Sequence, residues 1–368
     1  MNRYMITGLI TMMFSSIFQY SWNAFELTLP IVTGIDEYTL SIIFTLYIVF
    51  SSTSQIFSGY IADLFGPRRV FIGSLILAAA GLIFSSQAKN VDQFVSLWVM
   101  GSVGEGSLYG ISVNMAIKWN DERRGFSAGF VSMGFGIGAT FANPFIFIFK
   151  NFRLPMLILG ILMLIVLLSI SYTVKYPVSR TGKTPIQLVK EKKWWLVFVS
   201  YSFAGAPLQL FSFFLLFLSK GFGISYLILV AMVFPFISGV GRPFIGHFSD
   251  RIGRKKSIIV TIFFILIGVS FALIYSEISI LAAAILISLF GGSLFTLYSS
   301  YVADIYGTKY STSNNGILYS GKAMGGLIGV FIFSAIDIAT NLRISLLFII
   351  AVVLISLVSF ILASVTEK

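Results

Sequence analysis

Glu105, Arg242 and Lys322 are the residues of this sequence with the clearest chemical use, because each lies deep inside a stretch otherwise built of apolar and small residues. A charge at the centre of a bilayer-spanning helix costs about 2.5–3.5 kcal/mol on insertion scales, so it faces a cavity or a partner and marks a functional site. Arginine offers a planar fork that holds a carboxylate through two hydrogen bonds, and lysine adds a compact second charge. Two cations in a low-dielectric cavity repel each other until an anion relieves them. A carboxylate beside them either neutralises one cation or takes up a proton, which makes Glu105 the candidate proton-coupling residue. Other reactive groups are scarce. With no cysteine and one histidine, the chain has no disulfide, thiolate metal site or cysteine nucleophile, and neither a metal nor a cofactor is expected. No nucleophile sits in a cluster with an acid–base pair, and no Gly-x-x-x-x-Gly-Lys-[Ser/Thr] loop is present, so the chain reads as a non-enzyme.

The elements that must hold these charges are membrane helices. Of 368 residues 57% are hydrophobic and 11% charged, with a mean hydropathy of +0.94, against about 45–50% and about 25% in a soluble domain. A hydrocarbon core of about 30 Å takes roughly 20 apolar residues as helix. Twelve such spans are predicted, near 6–30, 38–62, 69–88, 93–117, 124–149, 153–174, 194–218, 224–248, 257–275, 279–303, 314–337 and 342–364. The first span has no cleavage site behind it and is expected to be retained. A polar segment with two prolines, 177–193, divides six-helix halves at 1–176 and 194–368. The net charge of +11 sits in the loops, so a membrane and not nucleic acid is the expected partner. Eighteen Lys and Arg fall on the side of the N-terminus and five on the other. Positive charge favours the cytoplasm, which predicts cytoplasmic termini and a cytoplasmic linker in a plasma-membrane protein.

The halves repeat. Gly59-x-x-x-Asp63-x-x-Gly66-x-Arg68-Arg69 returns 187 residues later as Gly246-x-x-x-Asp250-x-x-Gly253-Arg254-Lys255-Lys256. Gly134 and Gly138 return as Gly321 and Gly325, and Gly106-Ser-Leu-Tyr109 as Gly292-Ser-Leu-Phe295. The charges do not repeat: Arg242 aligns with Gln55, Lys322 with Phe135 and Glu105 with Gly291. A fold requirement would act on both halves, so an unrepeated charge has a task of its own. The loop aspartates suit a gate that pairs with Arg or caps a helix terminus, and the glycines suit close helix packing.

The twin loops in a duplicated twelve-span chain resemble the signature of the major facilitator superfamily. Tyr20-Ser-Trp22, Lys118-Trp119, Arg124-Gly125, Gly134-Phe-Gly136-Ile-Gly138, Gly241-Arg242-Pro243, Asp304-Ile-Tyr-Gly307 and Asn315-Gly-Ile-Leu-Tyr319-Ser-Gly-Lys322 resemble its oxalate/formate antiporter-like family. The resemblance implies an all-α membrane protein of two pseudo-symmetric six-helix bundles. It implies secondary transport of small carboxylates such as oxalate, formate or another mono- or dicarboxylate, by alternating access, through exchange or proton symport, in a monomer. Arg242 and Lys322 would bind the carboxylate, and Gln19, Tyr20, Tyr109, Tyr319 and Phe135 would line the cavity. Related monocarboxylate carriers place an Asp one turn before this Arg, where Ser238 stands here, and the family has a small residue where Glu105 stands. A carrier of the same fold for a sugar, drug or peptide is the alternative.

Overall fold

The computed structural model describes residues 3–30, 34–149, 151–178 and 181–365; the loop cations Lys150, Arg180 and Lys368 lie outside the described residues. Its spans are α1 (Arg3–Gln19, resumed at Trp22–Glu26), α2 (Glu37–Phe65), α3 (Pro67–Ser85), α4 (Val91–Trp119), α5 (Arg124–Phe147) and α6 (Arg153–Ile170). After the linker come α7 (Lys192–Ser219), α8 (Ile224–Ile252), α9 (Arg254–Ala272), α10 (Glu277–Tyr306), α11 (Ser311–Ala339) and α12 (Leu342–Val365).

Ten of these, among the described residues, are long and apolar enough by themselves to cross a membrane. The two that fall short are informative. α1 stops after 17 residues at a break. α4 has 29 residues but mixes glycines, serines, an asparagine and Glu105 into its apolar sequence. A helix surrounded by protein need not be apolar all round, and from Gly104 to Lys118 every residue of α4 is buried. α6 shows the opposite pattern, exposing Leu154, Ile161, Leu162, Ile165 and Leu168 where lipid would lie.

The two halves meet along two seams, α2 against α11 and α5 against α8. Glycine makes both possible. A Cβ on Gly129 would collide with the Arg242 carbonyl and one on Gly136 with the Pro235 carbonyl; on the other seam, Gly59 sits against the Thr312 carbonyl and Gly316 against that of Gln55. Gly66 and Gly253, at φ 90° and 93°, turn the chain between α2 and α3 and between α8 and α9, a conformation that strains any other L-residue. These corners lie on the face from which α1 starts, called here the loop face. The linker is tied to the same face: Gly182 bridges to Gly307, and Lys183 N–H donates to the Tyr306 carbonyl at 2.8 Å. Among the described residues, only the second half carries π-helical turns, at Ile287–Gly291 in α10 and Leu327–Ile332 in α11.

Candidate functional site

The first span is not the continuous helix that the sequence predicts over 6–30. Beyond Gln19 the hydrogen bonding lapses, with Ser21 N–H reaching the Ser16 carbonyl at 3.4 Å, before the helix resumes at Trp22. The Tyr20 carbonyl accepts instead from the Asn143 side-chain amide at 3.3 Å. The same amide donates to the Ala231 carbonyl at 3.0 Å. That carbonyl has lost its helical partner because Pro235, four residues on, carries no N–H. Asn143 thus closes two gaps in the backbone and ties α5 to α1 and α8.

At this break Gln19 and Tyr20 meet the two cations. Lys322 donates to Gln19 Oε1 at 2.7 Å and approaches the Tyr319 hydroxyl at 3.5 Å. Arg242 donates from Nη2 to the Tyr20 hydroxyl at 3.2 Å and to Ser238 Oγ at 3.3 Å, from Nη1 to the Ser132 carbonyl at 3.0 Å, and from Nε to the Ser238 carbonyl at 3.1 Å. Four of its five N–H donors are therefore held by neutral oxygens. Phe135 lies between the two charges, its ring centroid 5.5 Å from Arg242 Cζ and 5.9 Å from Lys322 Nζ. Tyr20 and Tyr109 stand edge-on to the same ring, and Tyr109 lies against Tyr319. Arg242 is 1% and Lys322 2% exposed. No carboxylate among the described residues forms an ion pair with either cation. Glu105, equally buried, accepts from the Ser51 hydroxyl at 2.5 Å.

All eight residues picked out for this site, Glu105 included, converge on the middle of the molecule, drawn from α1, α4, α5, α8 and α11. Tyr47, Ser51, Phe295, Gln209 and Asn143 join them and were not foreseen. Two carried a signal in the repeat: Phe295 aligns with Tyr109, and Tyr47 aligns with Phe234, which packs on Tyr20.

Both routes out of the centre are closed. On the loop face each motif aspartate caps a helix of the other half. Asp250 accepts from Gly125 and Phe126 N–H at 3.0 and 2.8 Å. Asp63 accepts from the Ser313 N–H and hydroxyl, both at 2.7 Å. Phe126 and Ser313 are 187 residues apart, so the repeat reproduces the clasp itself. Lys118 pairs with Asp63 at 2.9 Å and donates to the Thr308 carbonyl at 2.8 Å. Arg254 pairs with Asp250 and, together with Arg124, with Asp304. Lys118, Arg124 and Asp304 thus supply partners that the loop motif did not include. Among the described residues, of the motif cations only Arg254 joins these pairs; Arg68 and Arg69 are exposed, and Lys255 reaches the Ser364 carbonyl. Deeper in, Asn315 donates to Asn114 across the halves at 2.8 Å. On the opposite face Gln19 donates to Gln209 at 3.2 Å, Phe44 stacks on Phe213, and Tyr38 lies by Phe331.

The Major Facilitator Superfamily profile matches residues 4–241 and, in a second overlapping match, 197–368. An uncharacterised 38 kDa protein encoded in the 23S RNA operon of Thermoproteus tenax is 34% identical, over 94% of this chain and 91% of that protein. The oxalate:formate antiporter of Oxalobacter formigenes is 28% identical, over 92% of this chain and 85% of its own. The crystal structure of the human organic anion transporter MFSD10 (TETRAN) superposes with a TM-score of 0.74 at 12% identity, covering 97% and 99% of the two chains; a likeness at that identity is one of fold.

Proposed function

This chain belongs to the Major Facilitator Superfamily, a multi-pass membrane transporter, and we propose that it carries small organic anions, carboxylates such as oxalate or formate, through the centre of the molecule. The observation that carries this reading is the pair of buried cations around Phe135, contributed by α8 and α11 and held by neutral oxygens. With Glu105 the centre buries two positive charges against one negative; a buried charge in excess is costly, and an anion is the ligand that removes the cost. Its carboxylate would displace the Tyr20 hydroxyl from the Arg242 fork, while Lys322 would leave Gln19 for the same ligand. A bond from either cation to an anionic oxygen adds a charge–charge attraction that its present bond to a neutral oxygen lacks. The Oxalobacter relative is named for this class of substrate.

The clasps of Asp63 and Asp250 are the gate in this reading. They hold the loop face shut through bonds between the halves, and those bonds must break for the site to open on that side. Anion binding replaces the bonds of Arg242 to Tyr20 and of Lys322 to Gln19, which join the halves at the centre, and this couples the site to the gate. The excess of positive charge in the loops supports a cytoplasmic loop face, in a carrier read here as a monomer of the plasma membrane. Glu105 sets the coupling. An anion seated on both cations takes their field away from the Glu105 carboxylate, so a proton loaded with the anion keeps the buried charge low. The test is uptake of labelled oxalate, formate and larger mono- and dicarboxylates into proteoliposomes, with and without unlabelled anion inside. Uptake of at least one carboxylate is expected; transport confined to neutral sugars or cationic drugs would refute the proposal.

A further inference from the structure

We propose that the groove beside the α2–α3 corner, on the loop face, binds the phosphate of an anionic lipid headgroup. The groove has a volume of about 440 Å³ and is lined by Arg68, Arg69 and Lys175, with Phe65 and Tyr172 among its walls. Among the described residues, no Asp or Glu lines it. Among the described residues, the side chains of these three cations form no ion pair and no hydrogen bond. Phe65 and Tyr172 are 72% and 69% exposed. Open aromatic rings offer an apolar contact to acyl chains, and a Tyr beside a basic groove suits the headgroup level of a bilayer.

The internal repeat supplies a control within the same molecule. The α8–α9 corner has an equivalent groove of about 420 Å³, lined by Arg254, Lys255 and Lys256 together with Asp304. There Arg254 is spent on Asp250 and Asp304. The residue aligned with Arg254 in the first half is Pro67, and Asp63 takes its cation from Lys118 on α4. The first corner therefore builds its clasp without its own basic residues and leaves them facing the membrane surface. Arginine forks match phosphate oxygens as they match carboxylates, and basic pockets at the ends of membrane helices hold anionic headgroups. The exposed aromatic wall separates a lipid phosphate from a free one, since inorganic phosphate gains nothing from it. The inference stands whatever anion crosses the central site.

The test is native mass spectrometry of the full-length protein from mixed micelles of phosphatidylglycerol and phosphatidylcholine with identical acyl chains. Wild type should retain phosphatidylglycerol selectively. Arg68→Gln/Arg69→Gln/Lys175→Gln should bind it about a hundredfold more weakly, and Lys175→Gln alone about fivefold. Lys255→Gln/Lys256→Gln should bind it as wild type does. Equal retention by wild type and the triple variant, or an equal loss in the second-half variant, would overturn the site. Displacement of the lipid by excess inorganic phosphate would overturn the lipid as its occupant. If the triple variant does not fold, Lys175→Gln decides: unchanged retention refutes the proposal.

Discussion

Arg242 holds four neutral oxygens and Lys322 two, so the residues proposed to bind substrate are occupied by groups that an anion can replace at a gain. In the proposed mechanism Glu105 has a separate task. Acidifying the side from which substrate enters should speed wild-type uptake into proteoliposomes, and Glu105→Gln should keep exchange while losing that response. A wild-type rate indifferent to the gradient would end the coupling claim, and Glu105 would then be a partner of Ser51 and nothing more. Asn143 works by structure and not by contact with substrate. Asn143→Ala leaves the Tyr20 and Ala231 carbonyls buried and unpaired, a loss of about 1–3 kcal/mol for each unsatisfied group. Thermal unfolding in detergent should show a lower midpoint, with substrate affinity falling as the α1 break loses its tie. An unchanged midpoint would mean that water or a shifted backbone serves those carbonyls equally well.

Among the elements, the twin α2–α3 and α8–α9 corners act alike because they are built alike. A carboxylate against the N-terminus of a helix contributes about 0.3–1 kcal/mol at the surface and up to about 2 kcal/mol when partly buried. Two such caps between the halves bias the closed loop face without touching substrate. Asp63→Asn and Asp250→Asn should therefore slow turnover severalfold while changing affinity little, read as maximal rate and half-saturation in the same vesicles. A large loss of affinity at an unchanged rate would contradict the gate. Much of this arrangement was legible beforehand. Apolar length gave the spans, and the duplicated motif pointed to the aspartates and to the lone charges of α4, α8 and α11. What stayed hidden depends on helices distant in the sequence. The break of α1 at Tyr20–Ser21 has no glycine or proline to mark it and exists because Asn143 and the central site take up the freed groups. Lys118 pairs with Asp63 across 55 residues of sequence, and nothing in the loop motif specifies that contact. Pro67 in place of a partner for Asp63 was visible, but its consequence for Arg68 and Arg69 needed the fold.

At the scale of the whole molecule, both faces are closed over a buried site whose parts come from both halves. Alternating access then requires each seam to open at one end while the other end holds. The opposite face offers a clean test, because the chain has no cysteine of its own. A cysteine pair at Tyr38→Cys and Phe331→Cys replaces rings whose centroids lie 6.2 Å apart. Oxidation of that pair should stop transport, and a reductant should restore it; full transport by the cross-linked protein would show that this face does not open between α2 and α11. The central claim is more specific: Arg242 and Lys322 together hold one anion. Isothermal titration of oxalate and formate into purified wild type, Arg242→Gln and Lys322→Gln tests it without the complications of turnover. Wild type should bind at least one of the two. Each variant, folded as judged by its melting curve, should bind at least about tenfold more weakly, the loss of one charged hydrogen bond worth about 1.5–3 kcal/mol. Wild-type affinity in either variant would remove that residue from the site, and wild-type affinity in both would contradict the account.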